Sequence, residues 1–390
     1  MKVSFIIFSN LQEWRGMERT AYEYIKNKPA WVYANILQTD AIDDERISSN
    51  DVNSLFKDTE IITIKDYFRK FRFLDKSIFT FALKESVFVP FIGFFMRHFI
   101  YRHLYESLGR PDVVYCFNDD RAPLLFRRKE MLLVGSEHGW HFLPANLPKK
   151  VQVKLVLVGL LFRKIDVYHV FPRTTAVIAK SPLKYLELPS GVCTDIFYQK
   201  TQTREITNIL FFGSLQDCKG VNVILETWKL YLENNTNLNF HIAGKGKLES
   251  VVKEAQGPRF IYHEFVSEDD LPTLIRSCDI LVYPSLCDSF SLVVAESLSC
   301  GLTVLTNSEI ASNFQDFVSL GQVKIIENSP VSIYSQVMRL LTNCDDWDRK
   351  KSEELCKQKL DWKFVTDKLY EELEKLNSEM SAIGDLTYVR

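Results

Sequence analysis

The sequence predicts an α/β protein built of two doubly wound parallel-sheet domains joined by a linker. Three observations predict it. Short, uninterrupted runs of Val, Ile, Leu and Phe alternate with longer stretches of helical period, the pattern of parallel strands buried on both faces. The alternation stops at LPSGVCTDIFYQKTQTRE (188–205), where Pro, Gly, Ser and Thr replace any periodicity. The chain has 390 residues, room for two to three domains at roughly 150 residues each.

Each element follows from its own residues. VSFIIF (3–8) reads as a first buried strand. ERTAYEYIKN (18–27) is the helix after the loop SNLQEWRG. WVYANILQT (31–39) is the second strand, DVVYCFN (112–118) opens after Pro111, and EMLLVGSEH (130–138) and TAVIAKS (175–181) are two more. Beyond the linker a second series starts at once. NILFFGS (208–214), LNFHIAG (238–244), FIYHEFV (260–266), DILVYPS (279–285) and LTVLT (302–306) read as strands. VNVILETWKLYLEN (221–234), DDLPTLIRSC (269–278) and SLVVAESLSC (291–300) read as the helices between them. DWKFVTDKLYEELEKLN (361–377) is a C-terminal helix. The expected division is 1–187 for the first domain, 188–205 for the linker, 206–360 for the second domain, and a helix over 361–378 that crosses back to the first.

Composition excludes several classes. Hydrophobic residues are 46% and charged residues 25%, a globular mix that rules out a disordered, collagen-like or coiled-coil chain. The net charge of -2 offers no global field for nucleic acid, which is not expected as a partner. The balance is uneven: residues 1–200 hold 29 Lys and Arg against 22 Asp and Glu, the remainder 19 against 28. A basic half joined to an acidic half points to two domains with different partners. The 8 cysteines form no C-x-x-C pair, which disfavours zinc ribbons and thioredoxin-like redox chemistry and favours free thiols in a reducing compartment. The apolar run at the N-terminus is shorter than a signal-peptide core. The longest apolar stretch, VFVPFIGFFM (87–96), falls well short of the ~20 residues that cross a bilayer. A cytoplasmic protein, soluble or peripheral on the inner face of a membrane, is expected. Residues 65–110 hold nine Lys and Arg among ten Phe, and KKVQVKLVLVGLLFRK (149–164) is a second basic apolar segment. Such segments lie in a bilayer interface or pack on a sheet with snorkelling basic tips; both readings stay open.

Three strand-then-turn motifs carry the chemistry: FFGSLQDCKG (211–220), HIAGKGKLE (241–249) and CDILVYPSLCDSFSLVVAESLSCG (278–301). Lys219 before Gly220 offers a cation at a strand end, suited to charge building on a leaving group. Gly213 lets backbone approach a ligand closely. Ser289 can cap a helix whose first amides, at Phe290 and Ser291, make a ready anion site.

In order, strand context and spacing, residues 208–306 resemble the C-terminal domain of the GT-B glycosyltransferases, specifically the retaining family four, also called glycosyl transferases group 1. WRGMERTAYEY (14–24), PDVVYCF (111–117), GSEHG (135–139) and LPSGVCTDIF (188–197) extend the resemblance into the first half. It implies two Rossmann-like domains facing across a cleft. It further implies transfer of a sugar, with retention and without metal or other cofactor, from a UDP- or GDP-linked donor to a glycan or lipid-linked acceptor. By resemblance Glu296 accepts hydrogen bonds from the ribose hydroxyls and Asp288 faces the donor sugar. Lys219 and the amides of Phe290 and Ser291 hold the diphosphate. His138 reaches the sugar from the first domain, with His141 as its rival, and Gly16 with Arg15 forms the first strand–helix loop.

This chain departs from the family pattern at named positions. Ser214 stands where the family has an Arg of the donor site, Asp288 where it has Glu, and Ser291 where it has Gly. Lys245 and Arg15 are candidates to replace the missing cation. The departures leave an alternative: a catalytically degenerate GT-B protein that binds nucleotide sugar or docks to a partner. A nucleotide-sugar epimerase or phosphorylase of the same fold is a further rival.

Overall fold

In a computed structural model, the structure describes residues 1–7, 16–38, 59–63, 105–106, 108–117, 131–136, 165–180, 183–199, 206–234, 236–342 and 349–387. The chain divides into two compact units. The first comprises Met1–Val170, Val177–Leu188 and Thr366–Arg390, the second Phe171–Ala176 and Pro189–Val365.

The first unit is built on a parallel sheet. Its strands are β1 (Lys2–Ile7), β2 (Tyr33–Gln38), β3 (Glu60–Thr63), β4 (Val113–Phe117), β5 (Leu132–Ser136), β6 (Val167–Val170) and β7 (Tyr185–Glu187). Their spatial order is β3-β2-β1-β4-β5-β6-β7, so the order reverses between β1 and β4. The strands are apolar because both faces are covered: all five residues of β4 and all five of β5 are buried. Phe5, Tyr24, Tyr115 and Phe117 pack together, with ring centroids 4.9 Å apart for Tyr115 and Phe117 and 5.4 Å for Phe5 and Tyr115. The helix Gly16–Lys26 supplies Tyr24, and Tyr370 donates from its hydroxyl to the Tyr24 carbonyl at 3.0 Å. His169 is a core histidine. Its Nε2 lies 3.0 Å from the Leu188 carbonyl and must donate to it, so Nδ1 accepts from the Tyr115 hydroxyl. Burial holds this imidazole down at about 4.

The second unit repeats the architecture with β8 (Asn208–Phe212), β9 (Asn239–Ala243), β10 (Phe260–His263), β11 (Ile280–Tyr283), β12 (Thr303–Thr306) and β13 (Val323–Ile325). All pair in parallel, in the order β10-β9-β8-β11-β12-β13. The helix Val221–Glu233 turns Val221, Ile224, Leu225, Trp228 and Tyr231 inward. Trp228 meets Phe240 and Phe260 with centroids 5.2 and 5.4 Å apart, and Tyr231 meets Tyr334 of the helix Pro330–Thr342 at 4.8 Å. Each such ring contributes roughly 1.5–3 kcal/mol by leaving water.

One device recurs at the strand starts. An Asp just before a strand takes the first amides of its neighbour. Asp112 accepts from Lys2 N at 2.7 Å, Asp166 from Leu133 N at 2.8 Å, and Asp279 from Thr207 N and Asn208 N at 2.8 and 2.9 Å. These carboxylates accept from amides at or next to the starts of β1, β5 and β8.

The structure departs from the sequence reading in places. Of TAVIAKS, expected as a strand over 175–181, the described residues 175–180 lie instead on and just after the helix Pro172–Ile178. Pro172 suits the first helical position, where its missing N–H costs nothing, and a short apolar run does not distinguish helix from strand by period. The flanking strands β6 and β7, the strands β3 and β13, and the helices after β12 carried no sequence signal strong enough to be read. The C-terminal helix runs further than expected, over Trp362–Thr387. Among the described residues no helix is long and apolar enough to cross a membrane. Residues 149–164, and 65–110 except 105–106 and 108–110, lie outside the described residues.

Replacing Asp279 by Ala leaves two amides without their acceptor. A loss of about 2–3 kcal/mol of unfolding free energy is expected in a denaturant titration, and a change under about 0.5 kcal/mol would mean the clamp contributes nothing.

Candidate functional site

In an open parallel sheet, ligands bind beyond the carboxyl ends of the strands where the order reverses. In the second unit that place is between β8 and β11. The segments leaving these two strands are FFGSLQDCKG and PSLCDSFS, the motifs singled out above.

Glycines set how closely the turns approach. Gly244 (φ 135°) follows β9, and an added Cβ there would run into the Gly213 carbonyl. At Gly246 a Cβ would sit 2.6 Å from the Leu215 carbonyl oxygen. The G-x-G is therefore a backbone-on-backbone contact with the β8 turn, sealed by Leu215 N donating to the Lys245 carbonyl at 2.9 Å. Gly220 (φ 80°) ends the 3-10 turn Asp217–Lys219, and its Cβ would lie 2.6 Å from Pro284 Cγ and 2.9 Å from the Pro284 carbonyl oxygen. The Lys-Gly pair and the Pro-Ser pair thus meet because Gly220 leaves room for Pro284.

That contact brings Lys219 to Asp288. The ammonium pairs with Oδ1 of the carboxylate, the two side chains being 16% and 20% exposed. Oδ2 accepts from the Tyr283 hydroxyl at 2.6 Å. Burial, and then the Asp288 charge beside it, pushes the Tyr283 phenol far above its ordinary value, so it stays a donor. The Asp288 backbone carbonyl accepts from Arg173 Nη1 at 3.0 Å. Asn313 joins the two segments: its Oδ1 accepts from Arg173 N at 3.1 Å and its Nδ2 donates to the Ser289 carbonyl at 2.9 Å.

The helix Leu292–Ser299 follows. Ser291, not Ser289, is its cap, accepting from Val294 N at 3.4 Å. Ser291 has φ 82°, a left-handed conformation that costs a non-glycine residue roughly 1–3 kcal/mol. The geometry that suits a glycine is kept with a serine in place. Phe290 is buried against Phe171 and Phe314, with centroids 5.3 and 4.9 Å away. Glu296 lies on this helix and is 2% exposed.

The sequence-derived candidates now have places. Lys219 and Asp288 are in contact, Gly213, Ser214, Phe290 and Ser291 lie on the two segments that carry them, and Glu296 lies on the helix that follows. Lys245 lies over the Phe265 ring at 5.8 Å. Gly16 begins the first helix of the first unit. His138, His141 and Arg15 lie outside the described residues. Sequence reasoning missed Tyr283, Arg173 and Asn313. Tyr283 had one signal, a hydroxyl ending an otherwise aliphatic strand. Arg173, 115 residues from Asp288, had none. Among the described residues no group of three His, Cys, Asp or Glu is gathered to hold a metal.

Two doubly wound parallel sheets, with a switch-point site on the second, define the GT-B fold, and this chain has it. Residues 206–343, all within the second unit, match the family model described as Glycosyl transferases group 1. An uncharacterized glycosyltransferase of Methanocaldococcus jannaschii is 30% identical over 105 residues, 26% of this chain and 27% of that protein. The lipopolysaccharide glucosyltransferase WaaG of Escherichia coli is 27% identical over 143 residues, 33% of this chain and 38% of that protein. A solved structure of WaaG matches with a TM-score of 0.62 at 14% identity, over 95% of this chain and 99% of that one. HepE of Anabaena, solved in complex with UDP and glucose, matches with a TM-score of 0.65 at 13% identity, over 96% of this chain and 100% of that one. These structural likenesses are of fold. The chain spans 27% and 34% of the length of the first curated relatives it matches.

Gly220→Ala places a methyl group against Pro284 in a backbone conformation that disfavours it. It is expected to cost more than about 2 kcal/mol in a denaturant titration. Gly257→Ala, where nothing lies within 4 Å of the added atom, is the matched control and is expected to stay within about 0.5 kcal/mol of the parent.

Proposed function

We propose that this protein is a retaining glycosyltransferase. It moves a hexose from a nucleotide-sugar donor, UDP- or GDP-linked, to a glycan or lipid-linked acceptor. The observation that carries the reading is the Lys219–Asp288–Tyr283 cluster at the switch point of a glycosyl transferases group 1 domain.

The chemistry follows from the residues. As the bond from sugar to diphosphate breaks, negative charge grows on the leaving phosphate. The Lys219 ammonium neutralises it, and the amides of Phe290 and Ser291, just ahead of the helix Leu292–Ser299, are assigned to donate to it. Gly213 and Ser214 let the β8 turn approach the donor. Asp288, held by Tyr283, faces the sugar, and Glu296 accepts from the ribose hydroxyls. The family's second donor-site cation is absent at Ser214; we assign its task to Arg173, which already reaches the Asp288 carbonyl. The acceptor attacks from the face the diphosphate leaves. This assignment needs no metal. His138 and Gly16 are the residues of the first unit assigned to the donor.

UDP is the first nucleotide to try, because HepE was solved with UDP and glucose. An acceptor carrying lipid or glycan fits the name of WaaG, a lipopolysaccharide glucosyltransferase, and fits the basic aromatic segments 65–110 and 149–164 as contacts with the inner face of a membrane. A cytoplasmic location is proposed with it. One observation favours a second reading, a nucleotide-sugar-binding subunit without turnover: Ser214 brings no charge where the family has Arg.

Calorimetry with UDP, GDP and their sugar conjugates tests the site. Glu296→Ala is expected to weaken binding about 10- to 100-fold, the loss of a charged hydrogen bond. No binding by folded protein to any donor would sink the transferase reading. Lys219→Ala is expected to lower kcat about 100- to 1000-fold in a product assay. Binding without turnover by the parent, across lipid and glycan acceptors, would instead support the subunit reading.

A further inference from the structure

Two thiols that this chemistry does not use flank its central ion pair. Cys218 precedes Lys219 in the 3-10 turn after β8, and Cys287 precedes Asp288 in the loop after β11. Their sulfurs are 2.6 Å apart, much nearer to an S–S bond of about 2.05 Å than to the spacing of two unbonded sulfur atoms. The backbone already joins the two loops, with Leu286 N donating to the Cys218 carbonyl at 2.8 Å. Both thiols are half-buried, whereas Cys116, Cys278, Cys300 and Cys356 are sealed in the cores. Cys218 Sγ also reaches Gln216 Oε1, a side chain on the exposed rim of the turn, at 3.8 Å.

We propose that Cys218 and Cys287 are a redox-sensitive pair, closed to a disulfide by a small-molecule disulfide such as oxidised glutathione. The closed bridge weakens donor binding by holding Lys219 and Asp288 against each other. The second half rests on the nucleotide-sugar reading of the site. The step balances. The Cys218 thiolate attacks one sulfur of oxidised glutathione, forming a mixed disulfide and releasing one glutathione thiolate. Cys287 gives its proton to solvent and attacks the Cys218 sulfur, expelling the second glutathione. Two protein thiols are oxidised and one glutathione disulfide is reduced to two thiols. Burial, and then its contact with Cys218, pushes the Cys287 thiol up to about 11, which leaves the opening attack to Cys218. Once bridged, the residues next to each sulfur cannot separate. A diphosphate must then compete for the Lys219 ammonium with a carboxylate that is covalently kept beside it.

The test uses the full chain with oxidised or reduced glutathione, followed by peptide mapping and calorimetry with UDP, or with GDP where UDP does not bind. A linked Cys218–Cys287 peptide is expected in the oxidised sample and not in Cys218→Ser. The oxidised parent is expected to bind UDP at least about tenfold more weakly than the reduced parent, a difference of about 1.4 kcal/mol. Reductant should restore binding, and Cys218→Ser should bind equally in both conditions. Persistence of both thiols under oxidised glutathione overturns the bridge. A linked peptide with unchanged UDP affinity overturns the switch. A linked peptide in protein that binds neither UDP nor GDP in either state removes the nucleotide reading, and the switching half with it, while the bridge stands.

Discussion

The second unit depends on the reversal of strand order between β8 and β11. Parallel neighbours elsewhere in the sheet send their connecting helices to the same face. At the reversal the two chains leave in opposite directions, and the ends of both strands stay open. Asp279 holds the start of β11 to the start of β8 through two amides. The register it helps set, with Ile280 opposite Ile209, decides which residues emerge together at the other end. Those residues are the turn that ends in Lys219 and the loop that ends in Asp288.

Close backbone approach then converts an open crevice into a defined site. Gly244 and Gly246 bring the β9 turn onto the β8 turn, and Gly220 brings Lys219 within reach of Asp288 by clearing Pro284. Asp288 is held from three directions, by Lys219 and Tyr283 at its carboxylate and by Arg173 at its carbonyl. A shorter Asp at this place is therefore fixed by neighbours rather than by its own length. Ser291 adds local strain at the start of the following helix and recovers part of it by capping Val294 N. Holding such strain in this loop is what a packed frame permits. The same frame keeps Cys218 and Cys287 in contact, so the precision that serves the ion pair also gives the thiols their reactivity toward each other.

Much of the fold was legible because parallel strands buried on both faces leave long apolar runs in the sequence. Phe211 with its neighbours, Leu281 with its neighbours and the inward stripe of Trp228 and Tyr231 are such patterns, and each became the element expected. The run TAVI became helix instead, because so short a run carries no period and Pro172 opens a helix as readily as it interrupts a strand. Ser289 gave way to Ser291 as the cap for a similar reason: two serines near a helix start are equivalent in sequence, and only the backbone angle chooses between them.

The sequence by itself determined the alternation of strand and helix and the glycines at the turns, since these rest on local period and spacing; Lys219, Asp288 and Glu296 stood out only by their resemblance to the motifs of a known family. The tertiary structure decided which of those residues meet. Tyr283, Arg173, Asn313 and the Cys218–Cys287 contact come together from separate parts of the chain. Their partnership depends on strand register and on where a Cβ is missing, neither of which leaves a mark in local sequence.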